Sequence, residues 1–340
     1  MSLDPILFMG GSGAIAQQTA RALRKTYPGL TLLIGGRDLA KAQHAAEQMG
    51  SAQGVLIDAS ANDLGLGNRS VSGVVVFYMD HALAGLRFAQ QRGIPHLSLS
   101  SGVFEIAPEI ATYMHLPNAA PIVLGYEWMV GATTVSTLSI ARAYRQVHDI
   151  SLYALVDEQD TGGPTVATDF EHLNNMLPAA LTRRDGVYGW REGQEAEARF
   201  RAVDGTLIHA TGFSSIDVAG LAAATGAPNV QFNLAIAESS SRRQGGLMST
   251  EIILELAGLG LNGEPLRTRH AVIHPAGAAA LTGFSVAMVL ERLLGLDGHA
   301  PVKPGLYFPY QLLDAAVYLE RLRAEGGELR ELRAEAAPTG

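Results

Sequence analysis

The sequence predicts an α/β protein in which a doubly wound parallel sheet is joined to an α+β domain. Three observations carry this reading. Short, continuous apolar runs alternate with helical segments up to about residue 125, the pattern of a parallel sheet covered on both faces. The first run ends in a glycine-rich turn, Gly10–Gly11–Ser12–Gly13. Beyond residue 126 the chain becomes richer in β-like segments, and it returns to helix only near its C-terminus.

The elements follow in order. Ile6 to Ala16 reads ILFMGGSGAIA, a buried strand followed by Gly11-x-Gly13-x-x-Ala16. An α/β domain receives the pyrophosphate of a dinucleotide on such a turn. Gly11 is expected to make the tight turn and Gly13 to let the backbone approach the phosphates. Ala16 keeps the helix close to the strand, and Gly10, Ser12, Ala14 and Ile15 complete the cradle. The helix from about Ile15 to Lys25 directs its amides and dipole at the anion. A second strand, Thr31–Leu32–Leu33–Ile34, ends in Gly35–Gly36–Arg37–Asp38. An NAD-binding domain places an acid there, roughly 20 residues beyond the motif, for the ribose 2′-hydroxyl. Arg37 suits a 2′-phosphate instead, because its planar fork binds phosphate bidentately. The expected cofactor is therefore NADP, with Asp38 leaving NAD open. A glycine-rich surface turn beside a solvated arginine is the bland alternative, and strand, turn, helix and strand in this order argue against it.

Gly54 to Asp58 is expected as a third strand, with Asp58 and Ala59 near the adenine, and Gly73 to Tyr78 as a fourth. A helix from about Ala82 to Arg92 leads to a fifth strand, His96 to Leu99, and Pro121 to Leu124 forms a sixth. Ligands of such sheets bind beyond the strand C-terminal ends. Tyr78, Ser100, Ser101 and Tyr126 therefore join the predicted cofactor residues. Next come a helix at 131–144, a strand at 150–157 and a helix at 166–176. Strands are expected at 198–202, 206–209, 231–236 and 269–274, and helices at 278–294 and 311–324. The last stretch, 325–340, reads as frayed. Residues 1–126 and 277–340 make up the expected nucleotide domain, and 127–276 the substrate domain.

Composition narrows the function. The 340 residues are 47% hydrophobic, enough for two cores, and the net charge of −8 argues against nucleic acid as a partner. With no cysteine, disulfides, thiolate metal sites and cysteine nucleophiles are excluded. No apolar run reaches about 18 residues and no basic segment precedes the first one. Neither a membrane span nor a signal peptide is expected, and a cytoplasmic location is the default.

The segments GGSGAIAQQTARAL, LLIGGRDLAKAQHAAEQM and VLIDAS resemble the nucleotide-binding half of saccharopine dehydrogenase-like oxidoreductases. Val74 to Gly102, with FAQQRGIPHLSLSSG, is similar to the family's helix and strand leading to the active-site rim. Gly125 to Gly131 matches its glycine-rich passage into the second domain. Gly162–Gly163–Pro164–Thr165 and HPAGAAALTGFSVAMVLERLL are similar to later family segments. The likeness covers residues 6–131 and 270–322. It implies a Rossmann-type domain, a GAPDH-like catalytic domain and nicotinamide-dependent hydride transfer at a C=N or C=O carbon. It also implies Gly11, Gly13, Ala16 and Arg37 as cofactor contacts. Two departures stand out. Tyr78–Met79–Asp80–His81 replaces the family's Gly-Pro-Tyr, and Ser100–Ser101 replaces an acidic residue. The family's substrates therefore do not carry over.

The proton donor must come from a short list. Lysine is confined to Lys25, Lys41 and Lys303, and there is no Tyr-x-x-x-Lys, which excludes the short-chain dehydrogenase mechanism. Glu127 follows the sixth strand beside Tyr126. Trp128 offers an apolar wall for a nicotinamide or ordinary packing. Asp169 opens a helix, where it also suits the dipole. His274 precedes Pro275 and the apolar helix. These three, Glu127, His274 and Asp169, are the candidate acids, with an ordered water as the alternative. His270 and His274 lack the further ligands that zinc needs. Ser12 fails the nucleophile-elbow pattern at Ala14. The pairs Arg183–Arg184 and Arg242–Arg243 are candidate holders of a substrate carboxylate, against solvated loop arginines. The expected protein is an NADP(H)-dependent oxidoreductase acting on a small substrate bound between two domains. Its rival is a non-catalytic dinucleotide sensor or binding module. A homodimer through the second domain's sheet is expected.

Overall fold

The computed structural model describes residues 3–99, 103, 106–160 and 179–333. The first part of the chain forms β1 (Ile6–Met9), α1 (Ala14–Thr26), β2 (Leu32–Gly36), α2 (Leu39–Met49) and β3 (Ala52–Leu56). It continues through β4 (Gly73–Val76), α3 (Ala84–Arg92), β5 (His96–Ser98), α4 (Ile106–His115) and β6 (Pro121–Leu124). Next are α5 (Ala132–Ala141), β7 (Tyr144–Asp157), β8 (Ala180–Arg184), β9 (Val187–Arg191), β10 (Glu197–Arg201) and β11 (Leu207–Gly212). They are followed by α6 (Asp217–Thr225), β12 (Asn229–Ala237), α7 (Ser240–Arg243), β13 (Thr250–Gly260) and β14 (Pro265–His274). The chain ends with α8 (Gly277–Leu293), β15 (Gly305–Tyr307), α9 (Pro309–Leu312), α10 (Ala315–Ala324) and β16 (Glu328–Leu332).

Two compact units result. The first holds the chain up to Tyr126 and the later segment Thr282–Leu313. Its sheet runs β15-β6-β5-β4-β1-β2-β3, and every pairing in it is parallel. Without the added β15, this is the strand order of a dinucleotide-binding doubly wound sheet. β1 is an interior strand between β4 and β2, and Ile6, Leu7, Phe8 and Met9 are fully buried. Burying such side chains stabilises the fold by about 1.5–3 kcal/mol each, which explains the uninterrupted apolar run. Most of the expected late helix also belongs here, from Thr282 onward. Gly283 of α8 lies so close to α1 that an added Cβ would sit 2.5 Å from the Gln18 Cβ.

The second unit begins at Glu127. Its nine-stranded mixed sheet runs β10-β11-β12-β7-β13-β14-β16, with β8 attached to β12 and β9 to β8. β12 and β7 are parallel, and β7, β13 and β14 are antiparallel neighbours. The sheet contributes a core cluster that includes Tyr153, Phe200, Ile253 and Ala271. Within it the rings of Tyr153 and Phe200 stack at 5.1 Å.

Several expectations are corrected. Part of the tail expected to fray is a strand: β16 pairs antiparallel with β14, from Arg269↔Leu332 to Ile273↔Glu328, and residues 334–340 lie outside the described residues. Residues 314–333 lie in the second unit and not with the nucleotide domain. The single helix at 311–324 is two, because Asp314 stops the first and caps α10, accepting from Ala316 N and Val317 N at 2.9 and 3.0 Å. β3 ends at Leu56, before Asp58. β13, the strand between β7 and β14, was not expected, since its apolar run carries no period that separates strand from helix.

Candidate functional site

The β1–α1 turn has the shape of an anion cradle. Gly10 N–H bonds to Gly35 O at 2.9 Å, and Gly13 N–H to Gly10 O at 3.1 Å. The left-handed residue of the turn is Gly10, at φ 74°, and not Gly11 as the motif had implied. Gly11 is required for packing, since a Cβ there would lie 2.8 Å from Phe8 O. Gly13 is extended and precedes α1, which has no side-chain cap and no acidic residue in its first turn. Ser12, Gly13, Ala14 and Ile15 are half-exposed while Ala16 is fully buried. Orphan first-turn amides therefore reach a half-exposed edge beyond the C-terminal end of the central strand.

The neighbouring strand ends place the other predicted residues around the same edge. Arg37 follows β2, is exposed, and makes no hydrogen bond or ion pair with a described residue. Asp38 is engaged otherwise: it caps α2 by accepting from Lys41 N at 3.0 Å. Asp58 and Ala59 are exposed beyond β3. Hydrogen bonds from the Ser60 hydroxyl and amide hold the Asp58 carboxyl below its ordinary pKa. Tyr78, beyond β4, sets its ring against Gly10, whose added Cβ would approach it to 2.9 Å. Burial, helped by Asp80 and opposed by the Arg37 charge, pushes the Tyr78 phenol up to about 12. It is a neutral donor at physiological pH. Asp80, in the departure from the family pattern, accepts from Gly85 N at the start of α3.

Tyr126 sits in a chain of side chains that the sequence did not reveal. Its hydroxyl donates to the Glu109 carboxylate and lies 2.6 Å from Ser98 Oγ. With its one proton directed at Glu109, Tyr126 accepts from Ser98. Ser98 ends β5 and Glu109 is buried on α4. Ser100, Ser101 and Asp169 lie outside the described residues.

In the second unit, Glu127 is 2% exposed and opens a strained turn. Met129, Val130 and Gly131 have φ of 52°, 55° and 94°, a conformation that costs an L-residue on the order of 1–2 kcal/mol. Trp128 packs against Phe213 and Phe232, with ring centroids at 5.5 and 5.3 Å. Its amide donates to Asp217 Oδ2 at 2.7 Å. Asp217 is fully buried, and burial raises its carboxyl above the usual range against hydrogen bonds from Ser215 and Trp128. His274, buried at the end of β14, accepts from Ala276 N on Nδ1 at 3.2 Å. That bond leaves the ring proton on Nε2.

Three of the four arginines in the two pairs are corrected, while Arg184 is exposed at the end of β8. Arg242 pairs with Asp157 at 2.6 Å and with Glu158 and Glu238. Arg243 forks onto Asp204 at 2.7 and 3.0 Å. Arg183 donates to Gly186, Ala222 and Ala227 carbonyls. These three guanidiniums hold the fold together. Among the described residues no group of three His, Cys, Asp or Glu side chains is placed to hold a metal, and no helix is long and apolar enough to cross a membrane.

No protein-family model and no curated protein matches the sequence. Solved structures do match. The apo saccharopine dehydrogenase (L-Glu forming) of Saccharomyces cerevisiae superposes with a TM-score of 0.67 at 13% identity, covering 98% of this chain and 100% of that one. The homospermidine synthase of Legionella pneumophila in complex with NAD gives 0.64 at 9% identity, covering 100% and 93%. The chain has a saccharopine dehydrogenase-like fold. Within that fold, the glycine turn, Arg37, Tyr78 and Tyr126 share the strand-end edge that the sequence predicted. Ser98, Glu109 and Asp217 were missed, because one carboxylate or hydroxyl at an unremarked position carries no spacing signal. The short Ser215-x-Asp217 before α6 was the available hint.

Proposed function

We propose that the protein is an NADP(H)-dependent oxidoreductase moving a hydride at a C=N or C=O carbon of a small substrate. The observation that carries this is the uncapped, half-exposed start of α1 at the end of the central parallel strand, with the uncommitted Arg37 at the next strand end. The fold shared with a saccharopine dehydrogenase and with an NAD-bound homospermidine synthase supports a nicotinamide cofactor. The residues present fit one. Amides at the start of α1 and the Gly10–Gly13 turn would hold the pyrophosphate, and Arg37 the 2′-phosphate. Engagement of Asp38 in the α2 cap supports NADP over NAD, because that carboxylate already serves the helix.

When bound, the nicotinamide supplies or accepts the hydride. The chain then has to deliver one proton when the substrate is reduced, or take one up when it is oxidised. Glu127 is our first candidate, as a buried carboxyl directly after the Tyr126 chain link. His274, with its proton on Nε2, is the second. The Ser98–Tyr126–Glu109 chain fixes the backbone immediately before Glu127. A substrate imine that arrives protonated would need only orientation.

The test is NADPH and NADH binding by tryptophan quenching in the parent and Arg37→Ala. The charge-assisted contacts to a phosphate are worth about 1.5–3 kcal/mol, so NADPH affinity is expected to fall roughly 10- to 150-fold with NADH little changed. Binding of neither dinucleotide by the parent would overturn the proposal. Tight binding without NADPH oxidation across imines, ketones and α-keto acids with amines would favour a dinucleotide-binding module.

A further inference from the structure

The segment from Glu127 to Gly131 is a poor choice for the backbone it adopts. Three successive residues, Met129, Val130 and Gly131, are left-handed, and only the glycine favours that region. A β-branched valine is the least suited of common residues. Local bonds are few: Val130 N donates to Glu127 O at 2.8 Å, and Ala132 N to Met129 O at 3.4 Å. Strain of this kind persists only where the surroundings over-determine it.

Asp217 is what the surroundings provide. It stands at the first position of α6, fully buried. Its Oδ2 accepts the Trp128 N–H at 2.7 Å and also the Ser215 hydroxyl. Its Oδ1 is buried with no hydrogen-bond partner among the described residues. A carboxylate is therefore kept desolvated, with one oxygen unsatisfied, to make a bond outside its own helix. Starting α6 does not require this, since Asp217 is the first helical residue and the cap position is Ile216, and an exposed acid at that place would serve the dipole without the desolvation.

We propose that Asp217 is a positioning residue, whose carboxylate holds Trp128 at the start of the left-handed turn at 129–131 and thereby fixes the directions of Trp128 and Glu127. The functional value of that positioning rests on the reading of Glu127 as proton donor. The positioning itself does not.

The chain has two tryptophans, so Trp190→Phe leaves Trp128 as the sole emitter. In that background, Asp217→Ala is expected to shift Trp128 emission to longer wavelength and raise acrylamide quenching at least twofold. Asp217→Asn keeps an acceptor oxygen for the Trp128 amide and is expected to restore the parent spectrum. Asp217→Ser, which starts a helix well but is too short to reach Trp128, is expected to behave as alanine and covers the case in which alanine does not fold. Unchanged Trp128 emission in the alanine or serine variant would overturn the proposal, as would an asparagine variant as altered as the alanine. NADPH titration of the same samples separates the two readings. Loss of dinucleotide binding by the parent counts against the oxidoreductase, whereas the emission series reports on Asp217 alone.

Discussion

The Arg243–Asp204 pair separates a structural arginine from a substrate-holding one. The guanidinium bonds both carboxylate oxygens, at 2.7 Å from Nε and 3.0 Å from Nη2. The Asp204 oxygen nearer Nη2 also accepts from Thr206 N at 2.9 Å. Arg243 is the main reason that the Asp204 pKa falls from 3.8 to about 2. Each unit is worth about 1.36 kcal/mol, so the full shift corresponds to about 2 kcal/mol. The pair lies near the surface and is screened, which reduces this to about 1–2 kcal/mol. The folded-state pKa is depressed, so the contribution is complete above pH 4 and disappears as pH falls through about 2. Asp204→Asn is expected to lower the urea midpoint at pH 7 by the equivalent of about 1–2 kcal/mol. Its gap from the parent should close as the pH approaches 2. A gap of the same size at every pH would refute the electrostatic account. No gap at all, with weakened binding of a carboxylate substrate, would return Arg243 to the substrate.

Other consequences follow from packing and capping. Leucine at Gly283 would place a Cβ 2.5 Å from Gln18 Cβ and 2.7 Å from Thr19 N. Because backbone is involved, Gly283→Leu is expected to cost at least about 1–3 kcal/mol, read as a lower melting temperature. Asp38→Ala removes the α2 cap and is expected to cost about 1 kcal/mol. The ratio of NADPH to NADH affinity should stay within about threefold. A marked rise in that ratio would mean that Asp38 contacts ribose rather than Lys41 N.

The parallel half of the molecule was legible because its signals are local and repeated. Ile6–Met9, Leu32–Ile34, Val74–Val76 and Ile122–Leu124 are apolar throughout since both faces of their sheet are covered. A parallel pairing also demands a helix between strands, so the order of elements nearly dictates the topology. In the second unit each strand has neighbours distant in sequence. β7 pairs with β12 and β13, and nothing local to Tyr144–Asp157 names them. The tail was misread for the same reason: Glu328–Leu332 is half polar, and only β14 makes it a strand. The site divides similarly. Glycines declare themselves through a motif, and Arg37 through its distance from it. Asp217 becomes visible only when folding brings α6 to the turn at Trp128, 89 residues away in sequence. Arg242 and Arg243 looked free because their carboxylate partners come from β7 and from the loop after β10.

The distribution of caps makes the strongest case for an anion at α1. Carboxylates accept amides at the starts of α2 (Asp38), α3 (Asp80), α8 (Asp160) and α10 (Asp314). α1, thirteen residues long and central to its sheet, has none. Among the described residues α1 shares this bareness with α5, which starts at the buried Gly131, whereas the start of α1 is half-exposed at a strand-end edge, where a bound phosphate would complete it. Gly13→Asp tests this directly. Gly13 has φ −74° and ψ 163°, which any residue adopts, and the nearest atom to an added Cβ is Gly10 O at 3.4 Å. Aspartate there would cap α1, raising stability by a few tenths of a kcal/mol over glycine. The same carboxylate would occupy and repel the phosphate position. The expected result is a melting temperature equal to or above the parent's, with NADPH and NADH binding both lost. A stable variant that still binds either dinucleotide would show that the pyrophosphate does not lie on α1, and the reading of this site would fail with it.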